Sequence, residues 1–186
     1  VVCLTDLKPG MVTFNGRDLY SLDPSYVRSR IAYAGDDALT FNGTLRENID
    51  VWRGNSDETL KEVCEASFID FSQLNNDIDS DSPILSINDR RKISIARALI
   101  SDADVYIFDD CFNGFDIKTQ IQIVDNIRSV LKGKTVIFVV QNALCSKNSD
   151  NIAFIERRTV IASGPHEEMI EKCQMYSEMV RYGGVA

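Results

Sequence analysis

Two adjacent acids, Asp109 and Asp110, close the run Asp104–Val105–Tyr106–Ile107–Phe108. The residues before them read as a fully buried strand. In open α/β sheets, ligands bind outside the carboxyl ends of the strands. Carboxylates delivered there need a cation, a donor or water, because burying them unpaired is costly. The combination suggests a magnesium–phosphate site. A strand followed by an acidic turn is the plainer alternative, and these residues taken alone leave both open.

Other chemistries find little support. His166 is the single histidine, and it lies in Ser163–Gly164–Pro165–His166–Glu167–Glu168, which resembles a helix start with acids in its first turn. We expect it to be exposed and structural, and no acid–histidine–nucleophile set can be assembled around it. Five scattered cysteines suit a reducing compartment and form no zinc-type pair. A phosphate-binding loop needs GxxxxGK[ST] between a strand and a helix. Gly133–Lys134–Thr135 is the tempting match, but Arg128 stands where the first glycine belongs. The triplet also follows a helix and precedes a strand. The main phosphate cradle is therefore expected upstream of Val1, or lost.

The elements that must position the acids follow from the pattern. The 186 residues suffice for one domain with a sizeable core, and 44% hydrophobic with 26% charged residues is ordinary for a globular chain. No apolar run approaches a membrane span and no signal-peptide pattern opens the chain. A membrane link is thus expected through a partner or a segment outside this sequence. A net charge of −8 argues against nucleic acid. It leaves nucleotides open, since backbone N–H groups and a metal can hold them.

Val1–Val2–Cys3–Leu4 reads as the tail of a helix or a shortened strand. Val12–Thr13–Phe14 runs into a turn at Asn15–Gly16. A short helix starts at residues 21–24, and residues 31–34 form a buried strand. From about 43 to 101 the character is helical: 44–49, 56–68 and 87–100 read as helices, with a polar loop at 75–83. After Ala103 comes a strand, an amphipathic helix over 118–131, a second buried strand over 135–140, and a hairpin at 152–162. One helix over 166–182 ends the chain. Alternating strands and helices indicate an α/β domain with a largely parallel sheet.

Several segments, in order, resemble the nucleotide-binding domain of an exporter-type ABC transporter. Lys8–Pro9–Gly10 followed by Val12–Thr13–Phe14–Asn15–Gly16–Arg17–Asp18 looks like the family's "PTSGxIxxDGxDI". Phe41–Asn42–Gly43–Thr44–Leu45–Arg46–Glu47–Asn48–Ile49 is similar to "LFSGTIRENI". Ile93–Ser94–Ile95–Ala96–Arg97–Ala98–Leu99 looks like "RIAIARAL", and Ser163–Gly164–Pro165–His166–Glu167–Glu168–Met169 resembles "QGTHEEL". The match covers essentially the whole chain. It implies a P-loop NTPase-like fold with a helical insert, N-terminally incomplete: residues 1–36 and 102–186 form the α/β core, and 37–101 the helical subdomain.

By this resemblance Asp109 takes the magnesium-holding Walker B position and Asp110 falls on the catalytic glutamate. Asp116 falls on the D-loop aspartate, and Leu85–Ser86–Ile87–Asn88–Asp89 on the LSGGQ signature. Asp36 falls on the Q-loop glutamine and Gln141 on the switch histidine. Most of these positions depart from the pattern. Asp110 is one methylene short, and a misplacement of about 1 Å can cost on the order of a hundredfold in rate. Gln141 can donate a hydrogen bond but cannot carry a proton. Ile87 and Asn88 put side chains where glycines let the backbone approach a phosphate. Asp89 adds a negative charge there, costing on the order of 4 kcal/mol against a like charge at about 4 Å and an effective dielectric of about 20. Ser86 to Asp89 also reads simply as a good helix cap. Asp36 replaces an amide with an acid, which could still reach magnesium through water. The loop 76–83 is shorter than the family's and lacks its "VGE" element, so coupling to membrane domains is expected to differ.

The resemblance implies ATP and Mg2+ as ligands. It also implies transmembrane domains and a second nucleotide-binding domain as partners, at the cytoplasmic face of a membrane. The expected function is a degenerate ATP-binding partner that hydrolyses slowly. The alternative is a non-catalytic scaffold of the same fold. Because the family's P-loop strand is central to its sheet, we also expect open apolar flanks and self-association in this stretch of chain.

Overall fold

The computed structural model describes residues 8–80 and 85–183. The expected N-terminal element at Val1–Leu4 and the end of the 75–83 loop lie outside the described residues. Strands β1 (Thr13–Phe14) and β2 (Arg17–Asp18) form a small hairpin. Helix α1 (Pro24–Arg30) follows, capped by the Asp23 side chain with proline at its first position. Strand β3 (Ile31–Gly35) continues directly from it. Strand β4 (Gly43–Thr44) leads into α2 (Leu45–Asp50), which opens with a capping box between Thr44 and Glu47. Helix α3 (Asp57–Ala66) is capped by Ser56. Strand β5 (Asp77–Ile78) pairs with β4, so part of the expected polar loop is a strand. Helix α4 (Ile87–Leu99) closes the helical segment.

Strand β6 (Val105–Asp109), helix α5 (Ile117–Val130) and strand β7 (Thr135–Val139) follow. Strands β3, β6 and β7 form one parallel sheet in the order β3–β6–β7. Its register sets Gly35, Asp109 and Val139 side by side at one end. Ala32, Ala34, Tyr106 and Phe108 turn to the main core, where Leu60, Ile95, Ile123 and Ile127 from the helices meet them. A second cluster (Leu19, Leu22, Val27, Ile31 and Ile107) fills the other face beneath α1.

A short helix α6 (Ala143–Ser146) and the hairpin β8 (Ile152–Glu156) and β9 (Thr159–Gly164) come next. Arg157 and Arg158 make its two-residue turn, both with positive φ. The expected single C-terminal helix is two, α7 (His166–Lys172) and α8 (Gln174–Arg181). Cys173 between them is extended and buried, and the break lets Met169 and Tyr176 face the same small core. His166 is half-buried rather than exposed, with Nδ1 2.8 Å from the Tyr176 hydroxyl.

Strand β7 departs most from expectation. It is not fully buried: Ile137 and Val139 are each 44% exposed. Among the described residues β7 pairs with β6 alone, and Tyr33, Ile137 and Val139 share an open face. An unpaired edge beside exposed apolar side chains is an association surface. Expressed by itself, this stretch should elute with a size that grows with concentration, and Ile137→Lys should return it to a monomer. A constant monomeric size across a hundredfold dilution range would refute this.

The helix caps make stability depend on acid. Asp23 is held below the ordinary carboxylate range by the Ser25 hydroxyl and then by the Tyr26 and Ser25 amides. Asp116 is held there by the Thr119 hydroxyl and amide. A carboxyl whose pKa is depressed on folding stabilises above its unfolded value, near 3.8 here, and that contribution vanishes as pH falls through the folded value. The thermal midpoint should therefore fall on acidification below about pH 4. Asp23→Asn with Asp116→Asn should flatten that slope.

Candidate functional site

The carboxyl ends of β3 and β6 border a cleft of about 420 Å³ lined by Tyr33, Gly35, Asp36, Asp37, Asp109 and Asp110. Among the described residues four carboxylates and no basic side chain line it. Asp109 sits at the last paired position of β6. Its Oδ2 lies 3.4 Å from the Tyr33 hydroxyl. Tyr33 holds its proton above the ordinary phenol range, first through desolvation and then through the charge of Asp109. The Tyr33 ring reaches Asp109 because the next position on its face of the strand is glycine. A Cβ on Gly35 would stand 2.5 Å from the Tyr33 hydroxyl.

Asp110 takes a left-handed conformation, φ +53°, which aspartate tolerates better than most residues. Its N–H donates to the Val139 carbonyl at 3.1 Å. That turn brings its Oδ2 to 3.4 Å from Gln141 Nε2. Its Oδ1 is buried without a hydrogen-bond partner among the described residues. The two positions compared with the catalytic glutamate and the switch histidine are thus neighbours in space.

Asp36 leaves the end of β3 and meets Arg91 of α4 in an ion pair. The signature positions are engaged within the chain. Ser86 Oγ donates to Asp89 Oδ2 at 2.6 Å, and the Asp89 N–H donates back to Ser86 Oγ at 3.1 Å. Asp89 also lies 3.8 Å from Lys92 Nζ. The helix-cap interpretation of these residues therefore holds geometrically. Ile87 is 54% exposed. Asn88 Nδ2 donates to the Gly114 carbonyl at 3.0 Å, tying α4 to the loop after β6. Asp116 caps α5 through Thr119 at 3.0 Å from its amide. Asp109, Asp110 and Asp36 converge on the cleft and Gln141 touches Asp110, while Ser86, Ile87, Asn88, Asp89 and Asp116 are not among its lining residues.

The rejected triplet lies at the far end of the sheet. Lys134 Nζ donates to the Ala103 carbonyl at 2.8 Å, beside the starts of β6 and β7. Sequence reasoning missed Tyr33 and Arg91. Arg91 had a signal: it lies four residues before Ile95, on the face of α4 that turns inward, and a buried arginine demands an acid.

The donor set suits a metal shared with phosphate better than a bare metal cage. Among the described residues no group of three histidine, cysteine or acid side chains could hold a metal alone. Magnesium commonly takes one or two carboxylates and completes its shell with water and phosphate oxygens. Asp109, and Asp110 with an unpartnered oxygen, fit that pattern.

A parallel sheet with crossover helices and acids at its carboxyl edge defines a P-loop NTPase-like α/β domain. The profile of the family described as "ABC transporter" matches residues 2–113. The chain belongs to the ABC transporter family. It is 28% identical over 173 residues to a putative export ATP-binding/permease protein of Rickettsia bellii, covering 90% of this chain and 30% of that protein. It is 30% identical over 169 residues to the leukotoxin translocation ATP-binding protein LktB of Mannheimia glucosida, covering 87% of this chain and 24% of that one. A bacterial Atm1-family ABC exporter solved with ATP bound superposes with a TM-score of 0.77 at 21% identity, over 90% of this chain and 30% of that chain. The chain thus spans about a third or less of these relatives. The resemblance to the family and the expected P-loop NTPase-like α/β fold are both borne out.

Proposed function

We propose that this chain is the ATP-binding domain of an exporter-type ABC protein, and that it binds Mg2+–ATP while hydrolysing it slowly. The observation that carries this is the parallel register setting Asp109 and Asp110 at the open end of the sheet, with Gln141 on Asp110. Bound magnesium would neutralise phosphate charge. Asp109 is the residue to hold it. Asp110 would orient a water, and the Gln141 amide would donate to Asp110 or to a phosphate oxygen. Neither arrangement supplies the proton-carrying imidazole or the longer carboxylate arm of the family pattern, so slow turnover follows.

Transmembrane domains and a second nucleotide-binding domain are the partners this assignment calls for, at the cytoplasmic face of a membrane. Among the described residues no helix is long and apolar enough to cross one. Trp52, which follows α2, is 69% exposed and stacked on Phe41, and it offers an apolar face for such a partner.

A second possibility is a non-catalytic domain that keeps the fold without the nucleotide. The mutual capping of Ser86 and Asp89 favours it, because those side chains are already satisfied within the chain. Titrating Mg2+–ATP against the full-length protein separates the two. Micromolar binding is expected for an ATP-binding domain, and no binding selects the scaffold.

A further inference from the structure

Arg91 is buried although charged, 9% exposed, and nearly all its donors are committed. Nε donates to Asp36 Oδ1 at 3.0 Å, and Nη2 donates to the same oxygen. Nη1 donates to the Asn113 carbonyl and, at 3.3 Å, to Asn88 Oδ1. One guanidinium therefore joins three segments: the end of β3, the N-terminal turn of α4 and the loop after β6. The fit leaves no slack. Gly114 has φ +91°, and a Cβ there would stand 2.6 Å from Arg91 Nη1 and 2.8 Å from Asn88 Oδ1.

A buried arginine is tolerated only when its donors are satisfied and its charge is matched. A planar fork meets that requirement where lysine, a point charge, cannot. Electrostatics gives the pair a second consequence. The cleft is lined by Asp36, Asp37, Asp109 and Asp110, and among the described residues Asp36 is the one of the four in an ion pair, with Arg91.

We propose that Arg91 is a positioning residue of the cleft: it fixes the loop after β6 against the end of β3, and by holding Asp36 it keeps the cleft's cation on Asp109 and Asp110. This deepens the ATP-binding assignment and rests on it for what the cation accompanies. Asp36 is then a structural post rather than a magnesium contact. Its departure from the neutral family residue is compensated inside the chain.

The test uses the full-length protein and Mn2+ alone, titrated by electron paramagnetic resonance. Arg91→Met removes the charge and frees Asp36, so Mn2+ should bind on the order of tenfold more tightly. Arg91→Met with Asp36→Asn removes both charges and should return the affinity to within about threefold of wild type. Arg91→Lys keeps the charge but loses the fork. Its Mn2+ affinity should stay near that of wild type, while amide hydrogen exchange at residues 113–115 speeds up on the order of tenfold. An Arg91→Met protein that binds Mn2+ no more tightly than wild type overturns the proposal. So does a double variant that stays tight, or unchanged exchange in Arg91→Lys. If Arg91→Met does not fold, the exchange measurement on Arg91→Lys decides alone. Mg2+–ATP binding is measured separately on the wild type. Its failure beside an intact Mn2+ response would remove the ATP assignment and leave the role of Arg91 standing.

Discussion

In the full-length protein, Asp110→Glu combined with Gln141→His should raise ATP turnover on the order of a hundredfold. The geometry explains why both changes are needed. Asp110 and Gln141 touch only at 3.4 Å, a long contact between a short carboxylate and an amide. Glutamate adds one methylene and carries the carboxylate farther from the strand end. Histidine adds a group that can hold a proton and positive charge near neutral pH. Because the two side chains meet, their effects should couple, and each single change should gain much less than the pair. Steady-state phosphate release measures this directly. An unchanged rate in the double variant would show that these positions do not limit turnover.

Phe108→Ala should destabilise the fold by about 3–5 kcal/mol. Phe108 is fully buried and stacks on Phe138 at 5.6 Å, with Phe112 6.1 Å from both rings. These three aromatic residues bind the C-terminal half of β6 to β7 and to the turn that carries Asp110. Truncating one opens a cavity between rings that cannot collapse without moving the strands. The loss is a large share of the roughly 5–15 kcal/mol that holds an ordinary domain together. Urea unfolding should show a lower midpoint with an unchanged slope. Phe108→Leu should cost far less, since it keeps most of the volume. A loss below about 1 kcal/mol for alanine would mean that the aromatic triangle is not the keystone of the sheet.

The parts of the molecule written in local pattern were legible in advance. The acid pair at the end of a buried strand, the helix cap at Ser86 to Asp89, and the rejection of Gly133–Lys134–Thr135 all depend on residues a few positions apart. What escaped depends on distance along the chain. Asp36 and Arg91 are 55 residues apart, and Asn88 and Gly114 are 26 apart. No periodicity reveals such partners. The apolar run of β7 suggested burial on both faces, because hydrophobicity records what a strand prefers and not what covers it. The continuous helical pattern over 166–182 hid the break at Cys173. There a buried thiol between two amphipathic turns let each turn reach the same cluster separately.

Val51 and Trp52 both adopt left-handed backbone, φ +48° and +56°. The turn is held by Asp50, which accepts from the Gly54 N–H at 2.8 Å and from Asn55 Nδ2 at 2.6 Å. Trp52 is thereby laid on Phe41 with ring centres 5.0 Å apart and its outer face in water. It is the single tryptophan of these 186 residues. Its emission is therefore a native optical reporter for this one surface. A blue shift on adding a binding segment would signal that the indole has left water, with no dye attached and no residue replaced.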